Sequence, residues 1–263
     1  MYQDISVERK DNGVGVIQID RPDRNNAVRA ETFESVCAVL DEFTNDDSIR
    51  AIVFGARGRH FIPGADLAFL EALKSATAAH VQNNIYKLFQ GATRRLYNCP
   101  KPTIAAVQGA AVTVGCEIAI SCDFRIVSER AMFQESWIKL GLMPPLGGTF
   151  LLPRMVGTAR ASEMVLQARA IKAEEAVEIG LANELVAEDR LMERALELAS
   201  ELASLPPQAY RTVKDALHRG YESTMEREWA ANVVAQSVLI KSEDFEEGVA
   251  AAMEKRPGKF TGR

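Results

Sequence analysis

The chain has 263 residues, a formal net charge of −5, 47% hydrophobic residues and 25% charged ones, a balance that describes a soluble globular protein with ample material for a core. Its Lys and Arg are scattered along the chain and form no basic stripe, which argues against nucleic acid as a partner. No uninterrupted apolar run approaches the ~20 residues needed to cross a bilayer, and MYQDISVERKDNG carries charges where an export signal needs an apolar core, so neither membrane nor export is expected.

In chain order, VGVIQID (14–20) predicts a strand, helped by its β-branched residues. Phe33, Val36, Val39, Leu40 and Phe43 recur at helical spacing, and AIVFGA (51–56) predicts a second strand. A helix around 77–98 follows, then a proline-bracketed strand at TIAAV (103–107), a helix containing Glu117, and a strand at DFRIV (123–127). Beyond about residue 190 only helical patterns remain, near 189–204, 207–219, 223–240 and 243–254, with LPPQAY breaking the first two apart. Alternation followed by a helical tail predicts an α/β core and a helical cap, and leaves open whether the sheet is flat and doubly wound or coiled into a superhelix.

Cys37, Cys99, Cys116 and Cys122 have no paired spacing and lie in apolar surroundings. They predict buried reduced thiols and a reducing, cytoplasmic compartment. His60, His80 and His218 form no ligand-spaced cluster, so no metal site is expected and each histidine reads as a surface or partly packed residue.

Glu117 is a lone carboxylate in a small, apolar segment, QGAAVTVGCEIAI. Burying it without a partner costs several kcal/mol or drives its pKa upward. Two glycine-containing loops accompany it. In GADL, Gly64 permits a positive φ and leaves the amides of Ala65 and Asp66 at a helix start, and the residues before Glu117 form a second helix start. Each loop alone reads most simply as a plain helix N-terminus; two amides converging on one carbonyl oxygen would form an oxyanion hole, in which losing one donor typically costs ~10²–10³ in rate.

RPDRNNAV, HFIPGADL, CPKPTIAAVQGAAVTVGCEIAISCDFRIVSERAMF, LGLMPPLGGTFLLPRMVG, the GLANELV run and the ending EKRPGKFTGR together resemble the crotonase (enoyl-CoA hydratase/isomerase) superfamily, in order and over nearly the whole chain. The resemblance implies a crotonase-like spiral of ββα units over residues 1–195, carrying the acyl-CoA site. It also implies a C-terminal helical trimerisation region over 196–263, giving a homotrimer or a dimer of trimers. It implies an enzyme acting on an acyl-CoA thioester, with coenzyme A belonging to the substrate and no separate cofactor. Ala65 and Val114 would supply the oxyanion-hole amides, and Glu117 matches the first of the hydratases' two catalytic glutamates. For CoA and the acyl group it points to Asn26, Ala27, Val28, Asp66 and Leu67, and to Lys255, Lys259 and Phe260 near the terminus.

Two departures stand out against that pattern. Thr113-Val114-Gly115 replaces a GGG run, so a β-branched valine, averse to positive φ, occupies the oxyanion position. FQESWIKLG replaces a segment like FGQPEILLG, so Trp137 stands where the second glutamate belongs, and reads as core packing or as a wall of the acyl pocket. Glu135 lies two residues earlier, on a different face, and could replace that glutamate only if the local helix turned by more than half a revolution; otherwise it reads as a surface residue or a helix-start charge. Pro144-Pro145-Leu146 stiffens the pocket and suits a bulky or cyclic acyl group. Hydration of an enoyl-CoA by one glutamate is the expected reaction. Isomerisation and thioester hydrolysis remain alternatives, and a non-catalytic acyl-CoA-binding protein is a reading of another class.

Overall fold

The structure, a computed structural model, describes residues 2–263. β1 (Ile5–Arg9) and β2 (Val14–Ile19) form an antiparallel hairpin, α1 (Ala30–Asn45) follows, and β3 (Ala51–Ala56) returns parallel to β2. α2 (Leu67–Leu73) and α3 (Ala78–His80) lead through a π-helical stretch, Val81–Tyr86, into α4 (Lys87–Tyr97). β4 (Thr103–Val107), β5 (Ala110–Val112) and α5 (Val114–Ile120) come next, then β6 (Phe124–Ser128), β7 (Met132–Gln134), a 3-10 turn at Ser136–Leu140 and α6 (Gly148–Leu166). β8 (Ile171–Lys172), α7 (Ala173–Glu178), β9 (Glu184–Val186), α8 (Leu191–Ala203), α9 (Pro207–Gly220), α10 (Met225–Leu239) and α11 (Glu243–Glu254) complete the chain.

The strands form a six-stranded sheet in the order β1-β2-β3-β4-β6-β9, parallel except for β1, and a three-stranded sheet in the order β5-β7-β8. A unit repeats: a strand of the large sheet, a strand of the small one, then a helix, as in β4-β5-α5 and β6-β7-α6. After β3, the single bridge between Ile62 and Ala111 stands in for the short strand before α2. This is the expected spiral of ββα units.

The central strands β2, β3 and β4 of the large sheet are buried on both faces, which is why they are almost continuously apolar. Alternate residues divide between two cores. Ile17, Ile19, Ile52, Phe54, Ala105 and Val107 pack with Phe33, Val36, Leu40 and Phe43 of α1, while Val14, Val16, Val53, Ile104, Ala106 and Ile126 pack with Leu191, Ala195 and Ala199 of α8. The residue-195 position falls inside α8, a helix that covers the sheet.

α9 is tied to that core by a buried ion pair, Lys214 Nζ to Asp123 at 2.8 Å, and by the Tyr210 hydroxyl, which donates to Asp123 at 3.2 Å. α10 leaves Trp229, Val233, Val234 and Val238 each about two-thirds exposed. Among the described residues no helix is long and apolar enough to cross a membrane. The four cysteines are free and buried.

Candidate active site

The approach of α5 to the Ile62–Gly64 segment sets the site. A Cβ on Gly115 would lie 2.1 Å from the Ile62 carbonyl oxygen, so only glycine lets the first turn of α5 press against that segment. Gly64 adopts φ +131°, and the Gly64 carbonyl and the Asp66 amide on either side of Ala65 are used: Val28 N–H donates to Gly64 O at 3.0 Å, and Asp66 N–H donates to Val28 O at 2.8 Å. The Ala65 amide takes no part in this bridge. Val114, the first residue of α5, has one of the amides that a helix start leaves without an intrahelical partner.

Ala65 and Val114 line one apolar cavity of about 410 Å³ together with Phe69, Ile85, Tyr86, Phe89, Trp137 and Leu142. Val114 itself is helical, and the positive φ of this loop falls one residue earlier, on Thr113 at +50°. The sequence placed the backbone strain at Val114. The structure moves it to Thr113, whose amide is tied to Gln134 O at 2.8 Å and whose carbonyl accepts the Glu117 amide at 3.0 Å.

Glu117 has no exposed surface, which rules out a solvated or salt-bridged helix residue. Its Oε1 accepts the amides of Gly148 at 2.7 Å and Leu146 at 2.9 Å, while Oε2 has no partner. Burial raises its pKa from 4.5 to about 7 against the pull of those two amides. That value suits a group that takes and returns a proton at neutral pH.

Glu135 requires a correction. It is fully buried, not a surface or helix-start charge, and neither of its carboxylate oxygens has a hydrogen-bond partner. The reason is local: it follows β7 and precedes the 3-10 turn with φ −100° and ψ 73°, so helical facing does not apply and its side chain turns inward. Burial, then the charge of Glu117, push its pKa well upward. Trp137 is 4% exposed and joins the two regions, lining the cavity while its indole N–H draws both acids' pKa values downward without a hydrogen bond of normal geometry to either.

Other sequence-derived candidates are dispersed. Asn26 is buried and structural, holding Arg57 O at 2.6 Å and His60 O at 2.7 Å; Val28 is buried in the bridge to Ala65, and Ala27 is half-buried beside it. Asp66 caps α2 through the Ala68 amide at 2.9 Å, and Leu67 is 81% exposed, outside the cavity lining. Pro145 and Leu146 line a different cavity of about 560 Å³ with Gln90, Tyr97 and Phe150, although the Leu146 amide holds Glu117. Lys255 ends α11, the Lys259 amide donates to Glu247 at 2.8 Å, and Phe260 lines a hollow among α9, α10 and α11. Within one chain these three do not line the Ala65–Val114 cavity.

Sequence reasoning missed Tyr86, whose phenol pKa is raised by burial and then by the Glu117 charge, and the role of the 146–148 amides. Nothing in the local pattern around Tyr86 marks it. A carboxylate two residues from Trp137 was visible, but its facing was not. His60 Nδ1 accepts the Ala110 amide at 3.2 Å and His218 stacks on Tyr97 at 3.9 Å, both packing roles.

A family model described as enoyl-CoA hydratase/isomerase matches residues 9–263. The chain is 36% identical to the short-chain-enoyl-CoA hydratase of Clostridium acetobutylicum over 94% of each protein, and 32% identical to the 1,2-epoxyphenylacetyl-CoA isomerase of Escherichia coli K12 over 96% of this chain and 97% of that one. The crystal structure of enoyl-CoA hydratase from Bacillus anthracis superposes with a TM-score of 0.93 at 30% identity, covering 99% of this chain and 100% of the other.

Proposed function

The chain belongs to the enoyl-CoA hydratase/isomerase family and is an enzyme of that family, and from this premise we propose that it adds water across the 2,3 double bond of an enoyl-CoA. The Ala65 and Val114 amides hold the thioester oxygen, and Glu117 is the acid-base group. The observation that carries the reading is the shared cavity. Ala65 and Val114 line one apolar hollow together with Trp137, and the buried Glu117 carboxylate, with one oxygen free, lies beside the Trp137 indole.

In the reaction, Glu117 takes a proton from water as its oxygen bonds to the β-carbon. The π electrons of the double bond move through the α-carbon onto the thioester oxygen, where the two amides meet the developing charge. The enolate then collapses and Glu117 returns the proton to the α-carbon, so water is added and the enzyme is restored. The aromatic lining, with Phe69 stacked on Phe89 at 5.7 Å between ring centres, supports an acyl group larger than crotonyl, of bulky or cyclic shape.

Isomerisation is the second reading, favoured by the likeness to the 1,2-epoxyphenylacetyl-CoA isomerase. The exposed apolar face of α10 supports a trimer or dimer of trimers. The C-terminal Lys255, Lys259 and Phe260 would then meet CoA from a neighbouring subunit. The test is a mass-spectrometric product survey over straight-chain and cyclic enoyl-CoA substrates with the wild type and Glu117→Gln. A gain of one water, lost in the variant, is the expected result; unchanged mass with a shifted double bond selects isomerisation, and free CoA selects hydrolysis.

A further inference from the structure

Glu117 and Glu135 come from separate elements, α5 and the end of β7, and meet around Gly148. A Cβ placed on Gly148 would lie 3.0 Å from Glu117 Oε1 and 3.3 Å from Glu135 Oε1. The two oxygens are therefore no farther apart than the sum of those distances. Both side chains are fully buried, three of their four oxygens have no hydrogen-bond partner, and no ion pair reaches either acid among the described residues. Two carboxylates so placed do not both ionise at neutral pH.

We propose that Glu135 is the protonated partner of Glu117, the two acids holding one proton between them around Gly148, with Glu117 the ionised member that handles the substrate water. This rests on the reading of Glu117 as the acid-base group. The division follows from the contacts. Only Glu117 receives backbone amides, from Leu146 and Gly148, and these favour its charged form, whereas Glu135 receives none and has only the Cys116 thiol and the Trp137 indole beside it.

The surroundings leave no other group to neutralise a second charge. Facing the pair are the Cys116 thiol beside Glu135, held in its neutral form by burial and by Glu135, the Tyr86 phenol on the Glu117 side, and the Trp137 indole. Arg125, buried behind α5, spends its guanidinium on the carbonyls of Leu181, Ala119, Cys122 and Asp123.

The consequence is a defined charge in the site. With Glu135 neutral, the pair carries one negative charge and accepts one proton during water addition. Once Glu135 also ionises, a second buried anion opposes the negative charge growing on the thioester oxygen, and turnover falls.

The test has two arms. Infrared titration of the free enzyme follows the C=O stretch of protonated carboxyl groups. The expected result is a protonated carboxyl that persists above neutral pH, is lost in Glu135→Gln, and titrates at least one pH unit lower in Glu117→Gln, because the neighbouring charge is gone. The second arm is the pH profile of kcat/KM on the enoyl-CoA the enzyme turns over best. The wild type and Glu135→Asp lose activity at alkaline pH, while Glu135→Gln keeps its low-pH limb and stays active. No such carboxyl band, or a band whose midpoint Glu117→Gln leaves unmoved, overturns the pair whatever reaction the enzyme performs. Should Glu135→Gln fail to fold, the wild type and Glu117→Gln titrations decide the matter alone. An intact pair in an enzyme that adds no water would overturn only the hydration reading.

Discussion

Thr113 stands directly against Gly64: its hydroxyl oxygen is 3.2 Å from the position a Cβ on Gly64 would occupy. The contact joins the residues that immediately precede Ala65 and Val114, both of which line the cavity. Thr113 pays for the arrangement with φ +50°, a region that costs a β-branched residue on the order of 1–3 kcal/mol. Thr113→Gly is expected to relieve that strain, offset in part by glycine's greater freedom in the unfolded chain. Thermal unfolding should show a change near zero or slightly stabilising. Gly64→Ala acts in the opposite sense, because alanine at φ +131° is strained and its methyl meets the Thr113 hydroxyl. Displacing one amide donor is expected to lower kcat by ~10²-fold with the fold retained, as steady-state assay and circular dichroism would show.

Glu117 links stability to pH. Its pKa in the folded state, about 7, lies above the ordinary carboxyl value of 4.5, so the folded protein binds the proton more tightly than the unfolded chain does. The stability this contributes is fully present below pH 4.5 and is lost as pH rises through 7, a loss of a few kcal/mol in order of magnitude. Glu117→Gln removes the titration, keeps the size of the side chain, and should be more stable than the wild type at pH 8 in urea unfolding. The same variant should lose at least ~10²-fold in kcat. Reduced stability at pH 8 together with normal turnover would contradict both halves of the argument.

Gly148 is small because two acids crowd it. Gly148→Ala inserts a methyl 3.0 Å from Glu117 Oε1, 3.3 Å from Glu135 Oε1 and 3.3 Å from the Pro144 Cβ. The methyl separates the Gly148 amide from the Glu117 carboxylate, so kcat should fall and the acidic limb of the pH profile should move to higher pH. A profile superimposable on the wild type's would show that the amide contact does not set the proton affinity of Glu117.

Much of this architecture was legible in the chain because its signals are local. The β-branched runs at 14–20, 51–56 and 103–107 became β2, β3 and β4, and the helical spacing of Phe33 to Phe43 became α1. β5, β7, β8 and β9 are only two or three residues long, too short for alternation to register, and α6 carries Pro153 and a non-helical Gly157 that break its period. At the site, Glu117 announced itself as a charge in an apolar run. Glu135 did not, since its inward turn depends on leaving β7 for a 3-10 turn, and facing at such a junction is decided by tertiary packing.

Lys214 and Asp123 give a prediction about the C-terminal helices. Their side chains are 7% and 13% exposed and 2.8 Å apart, and Asp123 also accepts the Thr103 amide at 2.9 Å. Removing the lysine leaves a mostly buried carboxylate with hydrogen bonds but no counter-charge, a change that in buried pairs costs ~3–5 kcal/mol. Lys214→Met should destabilise the protein by about that much, and Asp123→Asn in the same chain should recover part of it, because the amide keeps an acceptor for Thr103 while carrying no charge. Hydrogen exchange localises the effect: amides of α9 should exchange faster in Lys214→Met while those of β3 and β4 keep their order of protection. Uniform loss of protection would mean that the pair supports the whole sheet and not the docking of α9 alone.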